Sequence, residues 1–468
     1  MFYDSSGRLK AIGAETLETG IVQSATRNNW IKYYGFKLHL GSHNATPIFG
    51  DLPPLKDIAT LFSDFYEYLY NCLERDVQFV LTHPNGWGSE QQALMRSAMV
   101  RAGIILNDDS GHARISFVTE GEASLHFCLG KGLSEFARLE EGVTIIDAGG
   151  GMVDISTYSR VGTSRNNKSF QEITIPQCKY SGSVFVTKRA KSYLHNMLNG
   201  TAYSRDVDHI SDRFDKTAKL RFKNPQNALD GTVVAGFFEP ISRPAAFLVG
   251  GFAASDYLYG GLFGYLKPLG IRLSRPDSHV NKAITDGAIS FYIDHAVTAR
   301  MSRYFYGATM FTSYDGSDPE HRRRSGKTFI ADNGEKSLDE QFDTILPKGI
   351  IVSENTEFHN TCHLYSKNLK DLATVSDEII CYRGSKKDPR WMDTEEAMYK
   401  VLCRVTANTR AAAKTLELQR RPDGETFYKL DYELVLIFGL TELQAYVSWK
   451  HKGKEKRGPA RIVYQKDL

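Results

Sequence analysis

The chain has 468 residues, of which 41% are hydrophobic and 24% charged, and its formal net charge is +3. This length favours two or three domains over a single core. The nearly neutral charge argues against a general electrostatic attraction to nucleic acids or membrane surfaces. The 6 cysteines lie far apart without a C-x-x-C pair, which argues against a zinc site and a dense disulfide framework.

The N-terminus carries charges within its first ten residues and has no apolar stretch typical of a secretory signal. No window of the sequence approaches the roughly 18 to 20 apolar residues that are needed to span a bilayer. We therefore expect a soluble, cytoplasmic protein without a membrane or nucleic-acid partner.

Helical and strand-like segments alternate in the first part of the chain, which predicts α/β layering to about residue 300. The hydrophobic spacing predicts helices over residues 55–75, 91–102, 122–129 and 203–222, and strands over residues 77–82, 117–119, 143–146 and 245–251. We expect the strands Val143–Ile146 and Phe247–Val249 to be buried and to face one cleft.

The composition changes after residue 300. The polar stretch "DGSDPEHRRRSGK" (residues 315–327) predicts a linker or long loop, and strand-like runs dominate beyond Pro347. One helix is expected near Thr394–Leu402. The predicted organisation is an α/β domain over residues 1–300, a linker or long loop over residues 301–345, and a β-rich domain over residues 346–468.

The stretch "VTIIDAGGGMVDIS" (residues 143–156) places three glycines between two aspartates. Val143–Ile146 is an apolar, β-branched run, typical of a fully buried strand, and Asp147 closes it. The glycines at 149–151 predict a turn that no Cβ could tolerate, after which a second strand begins at Val153. The residues predict a tight β-hairpin whose tip exposes backbone N–H groups beside a carboxylate.

Three further segments join strands to helices. They are "FVLTHPNGWGSEQQALMRSAMVRAGI" (residues 79–104), with a proline turn, "FVTEGEASL" (residues 117–125), with an acidic residue, and "AFLVGGFAASDYL" (residues 246–258), with a double glycine. Together with the glycine hairpin, and in this order, they resemble the nucleotide-binding domain of the 70-kDa heat-shock chaperones, in the actin-like ATPase superfamily. The divergent subfamily 12 is the most similar. The resemblance covers roughly residues 1–300, and "FYKLDYELVLIFGLTEL" near the C-terminus more loosely.

The resemblance implies an α/β, two-lobed, actin-like (ribonuclease-H-like) ATPase fold that closes around ATP or ADP with Mg²⁺. Asp147 would hold the Mg²⁺ ion through water, because Mg²⁺ keeps much of its hydration shell. Asp154 matches the family's second acidic position, and Glu120 matches the acidic residue near the attacking water. Lys37, in "GFKLHL", matches the catalytic lysine.

The resemblance also implies the residues that contact the nucleotide. The second phosphate loop corresponds to Gly149, Gly150 and Gly151, and the glycines beside the ribose and α-phosphate correspond to Gly250 and Gly251. The basic helix beside the adenine corresponds to Lys216 and Lys219, and the aspartate in an "RPD" context corresponds to Asp277. Structural explanations compete with some of these roles. Asp154 would also serve as a cap of the hairpin, and the helix dipole would favour Glu120 at a helix N-terminus. Lys216 and Lys219 would simply be solvated, as lysines on helices commonly are.

The sequence departs from the family at three places. The first phosphate loop, Asp-x-Gly-Thr-Thr, is not found, and the chain begins with a stretch that follows this loop in the family, so the expected first lobe is N-terminally truncated. Met152 stands in place of a threonine near the γ-phosphate, and Ala254 in place of an arginine over the adenine. Because the loss of one electrostatic donor typically costs ~10²–10³ in rate, we expect impaired hydrolysis.

These observations lead to three hypotheses about function. The first is an ATP-binding, chaperone-like protein with weak or no hydrolysis, whose β-rich end contacts polypeptide clients. The second is a degenerate, non-hydrolysing scaffold or nucleotide sensor. The third is a sugar kinase of the same superfamily, for which no sugar-binding signature stands out in the sequence.

Overall fold

The computed structural model describes residues 1–40, 56–71, 77–130, 142–161, 169–222, 245–276, 280–438, 442–459 and 461–462. The chain divides into two units, Met1–Val297 (unit 1) and Thr298–Leu468 (unit 2). Helices and strands both contribute, so the predicted mixed α/β class is confirmed. Within the described ranges, no helix is both long and apolar enough to cross a membrane.

Unit 1 contains short strands and helices in alternation. Its strands are β1 (Phe2–Tyr3), β2 (Leu9–Ala11), β3 (Ile31–Lys32), β4 (Phe79–His83), β5 (Ile115–Thr119), β6 (Val143–Ala148), β7 (Val153–Arg160), β8 (Phe170–Glu172), β9 (Gln177–Lys179), β10 (Ala245–Val249) and β11 (Arg272–Ser274). Its helices are α1 (Thr19–Arg27), α2 (Ile58–Asn71), α3 (Ser89–Arg101), α4 (Asp109–His112), α5 (Glu120–Gly130), α6 (Ser183–Leu198), α7 (Val207–Arg213), α8 (Lys219–Arg221), α9 (Asp256–Leu266) and α10 (Ala283–Asp294).

The largest sheet of unit 1 carries the glycine hairpin. Its strands lie in the order β11-β10-β6-β7-β8, and β9 also pairs with β7. Strand β7 is antiparallel to both of its neighbours β6 and β8, whereas β10 pairs parallel with β6 and β11 pairs parallel with β10. Every residue of β6 and β10 is buried, as predicted, because their apolar side chains pack on both faces of the sheet. Burial of each large side chain stabilises the fold by about 1.5–3 kcal/mol.

Two smaller sheets precede this one. Strand β1 pairs antiparallel with β2 and β3, and β4 pairs parallel with β5. Helices α2 and α3 cover the β4–β5 pair, where Phe62, Met99 and Phe117 belong to one buried apolar cluster. Among the described residues, β4 has no strand partner besides β5. The C-terminal ends of β4 and β5 lead directly into residues of the candidate site.

Unit 2 is mostly antiparallel β-structure. Its strands are β12 (Val297–Met301), β13 (Phe305–Ser313), β14 (Phe329–Ile330), β15 (Lys336–Leu346), β16 (Ile351–Ser353), β17 (Glu357–Ser366), β18 (Thr374–Tyr382), β19 (Tyr399–Asn408), β20 (Gln419–Arg420), β21 (Thr426–Phe438), β22 (Leu443–His451), β23 (Lys454–Arg457) and β24 (Arg461–Ile462). Its short helices are α11 (Pro319–Arg323) and α12 (Arg410–Ala413). The sheets β14-β15-β13-β18-β19 and β17-β21-β22-β23 contribute to one apolar core.

Two predictions for this region differ from the structure. The expected linker over residues 301–345 contains β13 and most of β15, which pair with each other inside a sheet of unit 2. The β-rich unit therefore begins at Thr298 and not at residue 346. The expected helix near Thr394–Leu402 is also wrong, because Tyr399–Asn408 forms strand β19 and pairs with β18.

Candidate functional site

Asp147 and Asp154 face each other across the glycine hairpin. Asp147 lies near the end of β6 and Asp154 near the start of β7, and their Cα atoms are register partners. Each residue is only 2% exposed. The hydroxyl of Ser124, in the first turns of α5, donates to Asp147 Oδ2 at 3.1 Å. The hairpin therefore holds two buried carboxyl groups beside the start of a helix.

A side-chain network connects Asp154 to the ends of β4 and β5. The backbone N–H of Asn85, which follows β4, donates to Asp154 Oδ1 at 2.7 Å. The side-chain amide of Asn85 donates to Ser156 Oγ at 2.7 Å and accepts from the N–H of Gly121 at 3.3 Å. Asn85 thus ties together three parts of the chain that are distant in sequence.

Glu120 and Lys37 complete a group of four charged residues. Glu120 begins α5, immediately after β5, and forms an ion pair and a hydrogen bond with Lys37. The ammonium group of Lys37 also lies 5.7 Å from the centre of the Trp87 ring. The carboxyl of Glu120 acts electrostatically on both Asp147 and Asp154. The four residues that the family resemblance implied as catalytic are therefore brought together.

The electrostatics of this cluster favour protonated carboxyl groups or a bound cation. Burial, with the nearby carboxylates of Glu120 and Asp154, raises the pKa of Asp147 to about 8. Burial and Glu120 likewise raise the pKa of Asp154 to about 7. Desolvation and like charges both disfavour the ionised form of a carboxyl group. A divalent cation beside Asp147 would relieve both effects.

The glycine turn is fixed on one side and open on the other. The carbonyl oxygens of Gly149 and Gly150 accept from the backbone N–H groups of Ser183 and Val184 at the start of α6, at 3.1 and 2.9 Å. The N–H groups of Gly150 and Gly151 have no acceptor among the described residues. Consecutive free N–H groups in a turn are suited to bind an anion.

A second glycine turn lies directly beside Asp147. Strand β10 is the parallel neighbour of β6, and Val249 is the register partner of Asp147. Gly250 follows with φ at +89°, and a Cβ atom there would lie 2.3 Å from Asp147 Oδ1. Gly251 begins a short 3₁₀ helix that ends at Ala254. The two predicted glycine turns therefore meet at one end of the sheet, and only glycine fits at position 250.

An apolar pair borders the first glycine turn. Leu38 lies in the short 3₁₀ helix Phe36–Leu40, and a Cβ atom on Gly151 would meet the Leu38 side chain at 2.5 Å. Leu38 and Met152 are buried and form one cluster, with Cys178 and Tyr180 packed against it. The sulfur atoms of Cys178 and Met152 are 3.5 Å apart. The side chains of Leu38 and Met152 thus give this side of the turn a hydrocarbon and thioether surface.

The remaining predicted residues are not part of this cluster. Lys219 is buried and pairs with Asp215, and it also donates to the hydroxyl of Thr187 at 3.2 Å. Lys216 is exposed in the π-helical turn Phe214–Ala218. Among the described residues, neither lysine contacts the acidic group. Asp277 lies outside the described residues.

Sequence reasoning missed three residues of the site. Asn85 stands in the turn "HPNGWG" after a predicted strand, Ser124 is a small residue at a helix start, and Leu38 follows the predicted lysine directly. The turn composition around Asn85 was a usable signal, because loops at strand ends commonly carry function. The contact of Leu38 with Gly151 has no signal in the local sequence.

Comparison of the chain with models of known protein families and with curated proteins yields no match. In the described ranges, no group of three or more histidine, cysteine, aspartate or glutamate side chains is arranged to hold a metal ion. The site can offer free backbone donors to an anion and buried carboxyl groups to a hydrated cation.

Proposed function

We propose that unit 1 is an ATP- and ADP-binding module of the actin-like ATPase type, with weak or no hydrolysis. The observation that carries this proposal is the meeting of Asp147, Asp154, Glu120 and Lys37 beside two glycine turns. The strand order supports it further, because three antiparallel strands followed by two parallel ones (β8-β7-β6-β10-β11) fit a ribonuclease-H-like sheet.

The residues of the site suit Mg²⁺ together with phosphate groups. Mg²⁺ commonly keeps several water ligands and is bound by one or two carboxylates plus substrate phosphates, so it needs no cage of three protein ligands. Asp147 would hold the hydrated ion, and the free N–H groups of Gly150 and Gly151 would bind a phosphoryl group. The bound ion would neutralise negative charge on both the phosphates and the carboxyl cluster.

Two features favour slow turnover over efficient hydrolysis. Met152 supplies no hydroxyl group beside the glycine turn, and its side chain is buried with Leu38. Lys37 is engaged in an ion pair with Glu120, so neither group is free to act on a phosphate or a water molecule. Phosphoryl transfer depends mostly on positioning and charge stabilisation. These features favour a nucleotide-sensing or scaffold role over an efficient ATPase.

Polypeptide binding by unit 2 is the chaperone-like part of the proposal. It rests on the resemblance of the sequence to the heat-shock family and on the antiparallel β-structure of unit 2. A light-scattering assay of an aggregating, unfolded client protein tests it. A suppression of aggregation by the full chain is expected, and the same aggregation curve with and without the chain would contradict it.

Calorimetric titration of the full chain with ADP, in the presence of Mg²⁺ and then of EDTA, tests nucleotide binding. We expect binding with Mg²⁺, little binding with EDTA, and loss of Mg²⁺-dependent binding in Asp147→Asn. The control is Asp393→Asn, which removes a carboxylate in unit 2. No heat and no thermal shift at millimolar ADP would overturn the proposal. Rapid release of phosphate from ATP would contradict the slow-turnover part alone.

A further inference from the structure

The free N–H groups of the glycine turn have an apolar neighbour. The Leu38 methyl groups lie over Gly151, and Met152 is the next residue in the chain. Leu38 and Met152 are 7% and 6% exposed, so their side chains are packed against each other and form a fixed apolar wall. A phosphoryl group bound to the N–H groups of Gly150 and Gly151 would have this wall on one side.

Carboxyl groups outnumber lysines in the charged cluster beside the turn. Asp147, Asp154 and Glu120 supply three carboxyl groups, and the lysine that contacts them, Lys37, is already paired with Glu120. The buried lysine of the neighbouring helical segment, Lys219, is likewise paired with Asp215. Each additional phosphoryl group of a ligand brings more negative charge next to these carboxyl groups. One Mg²⁺ ion neutralises less of a triphosphate than of a diphosphate.

We infer that this site is selective for a nucleoside diphosphate over a nucleoside triphosphate, and that Leu38 and Met152 determine the selectivity. The inference rests on the proposed nucleotide binding and adds a preference between its two ligands. The terminal phosphoryl group of a diphosphate can accept hydrogen bonds from the free N–H groups of the turn. A third phosphoryl group would instead contact the side chains of Leu38 and Met152, where it would lose bound water and find no hydrogen-bond donor. Burial of a charged group without hydrogen-bond partners is costly.

The test compares the dissociation constants of Mg·ADP and of Mg·AMP-PNP, a non-hydrolysable triphosphate, by calorimetry on the full chain. We expect the wild-type protein to bind Mg·ADP at least about tenfold more tightly, which corresponds to about 1.4 kcal/mol. Leu38→Ala and Met152→Thr should each bring the two constants closer together. Leu38→Ala makes room at the turn, and Met152→Thr supplies a hydroxyl donor.

A matched control separates this effect from a general loss of packing. Met95 is buried to a similar degree, at 4% exposed, in the cluster around α3. Met95→Thr should lower the melting temperature and leave the ratio of the two constants unchanged. Melting curves identify variants that are folded, and Leu38→Val replaces Leu38→Ala if the latter is unfolded.

Three outcomes overturn the inference. Equal affinity of the wild-type protein for both ligands would refute the selectivity and leave nucleotide binding intact. A preference for Mg·ADP that persists unchanged in the folded Leu38 and Met152 variants would refute the role of these two residues. Binding of neither ligand would refute the nucleotide site itself, and the selectivity with it.

Discussion

Asp147 in unit 1 and Asp393 in unit 2 show two opposite uses of a carboxyl group. Asp393 accepts hydrogen bonds from Nε and Nη2 of the Arg324 guanidinium, and these bonds together with Lys327 lower its pKa. Asp147 is more deeply buried, and burial with neighbouring carboxylates raises its pKa to about 8. A paired carboxylate stabilises the fold, whereas an unpaired buried one is retained at a cost in stability. Such groups are common at functional sites.

The largest effect expected from this difference is in the pH dependence of stability. The pKa of Asp147 is about 8 in the folded chain, against about 3.9 in an unfolded chain. The folded state keeps a proton that the unfolded state has lost, so the free energy of unfolding falls as the pH rises from about 4 to about 8. Asp147→Asn removes this term and should be more stable than the wild-type protein at pH 8, by about 5 kcal/mol.

Urea unfolding of both proteins between pH 4 and pH 9, without nucleotide, measures the difference. The two curves should approach each other at the acidic end. A constant difference across the range would mean that Asp147 titrates normally, and the comparison with Asp393 would fail.

The next largest effect on stability is expected from substituting two glycines of similar backbone conformation, one in each unit. Gly250 and Gly424 have φ values of +89° and +93°, but a Cβ atom would meet Asp147 at 2.3 Å in the first case and open space in the second. Gly424→Ala should lower the free energy of unfolding by about 1 kcal/mol through backbone strain. Gly250→Ala should lower it by about 3 kcal/mol, because a steric clash is added. If urea unfolding showed that both substitutions lower the free energy of unfolding equally, Gly250 would not lie against the Asp147 carboxylate.

The smallest effect concerns Asp393 itself. Asp393→Asn leaves the Arg324 side chain, which is 8% exposed, with Glu320 as its remaining carboxylate partner. The free energy of unfolding should therefore fall by about 2 kcal/mol at pH 8, opposite in sign to the effect of Asp147→Asn. A differential scanning calorimetry trace of each variant beside the wild-type protein shows the two signs. A gain in stability for Asp393→Asn would contradict the structural role of the pair.

Local sequence predicted the glycine hairpin well. The β-branched run Val143–Ile146 requires burial on both faces, and the glycines at 149–151 require a turn, so Asp147 and Asp154 had to lie opposite each other. The contacts of Asn85 with Asp154 and of Leu38 with Gly151 depend on packing between distant parts of the chain. Periodicity and turn composition carry no information about such contacts.

The wrong predictions in unit 2 have a similar cause. The polar stretch over residues 315–327 resembles a linker, but Asp318 caps α11 and Pro319 begins it, as suits a helix N-terminus. Arg324 then binds Asp393, 69 residues further along the chain. Helix-favouring residues near Thr394–Leu402 were overruled by pairing with β18, because strand formation depends on neighbours more than on intrinsic preference.

The attachment of the glycine turn to α6 has a mechanical consequence. Helix α6 has 16 residues, all described, and none of them is fully buried. At 1.5 Å per residue it is about 24 Å long, and its first N–H groups hold the carbonyl oxygens of the turn. A displacement of the turn would therefore move the N-terminus of α6, whose far end carries the solvent-exposed side chain of Met197. If a ligand bound at the turn and displaced it, a probe attached near Met197 would report the movement.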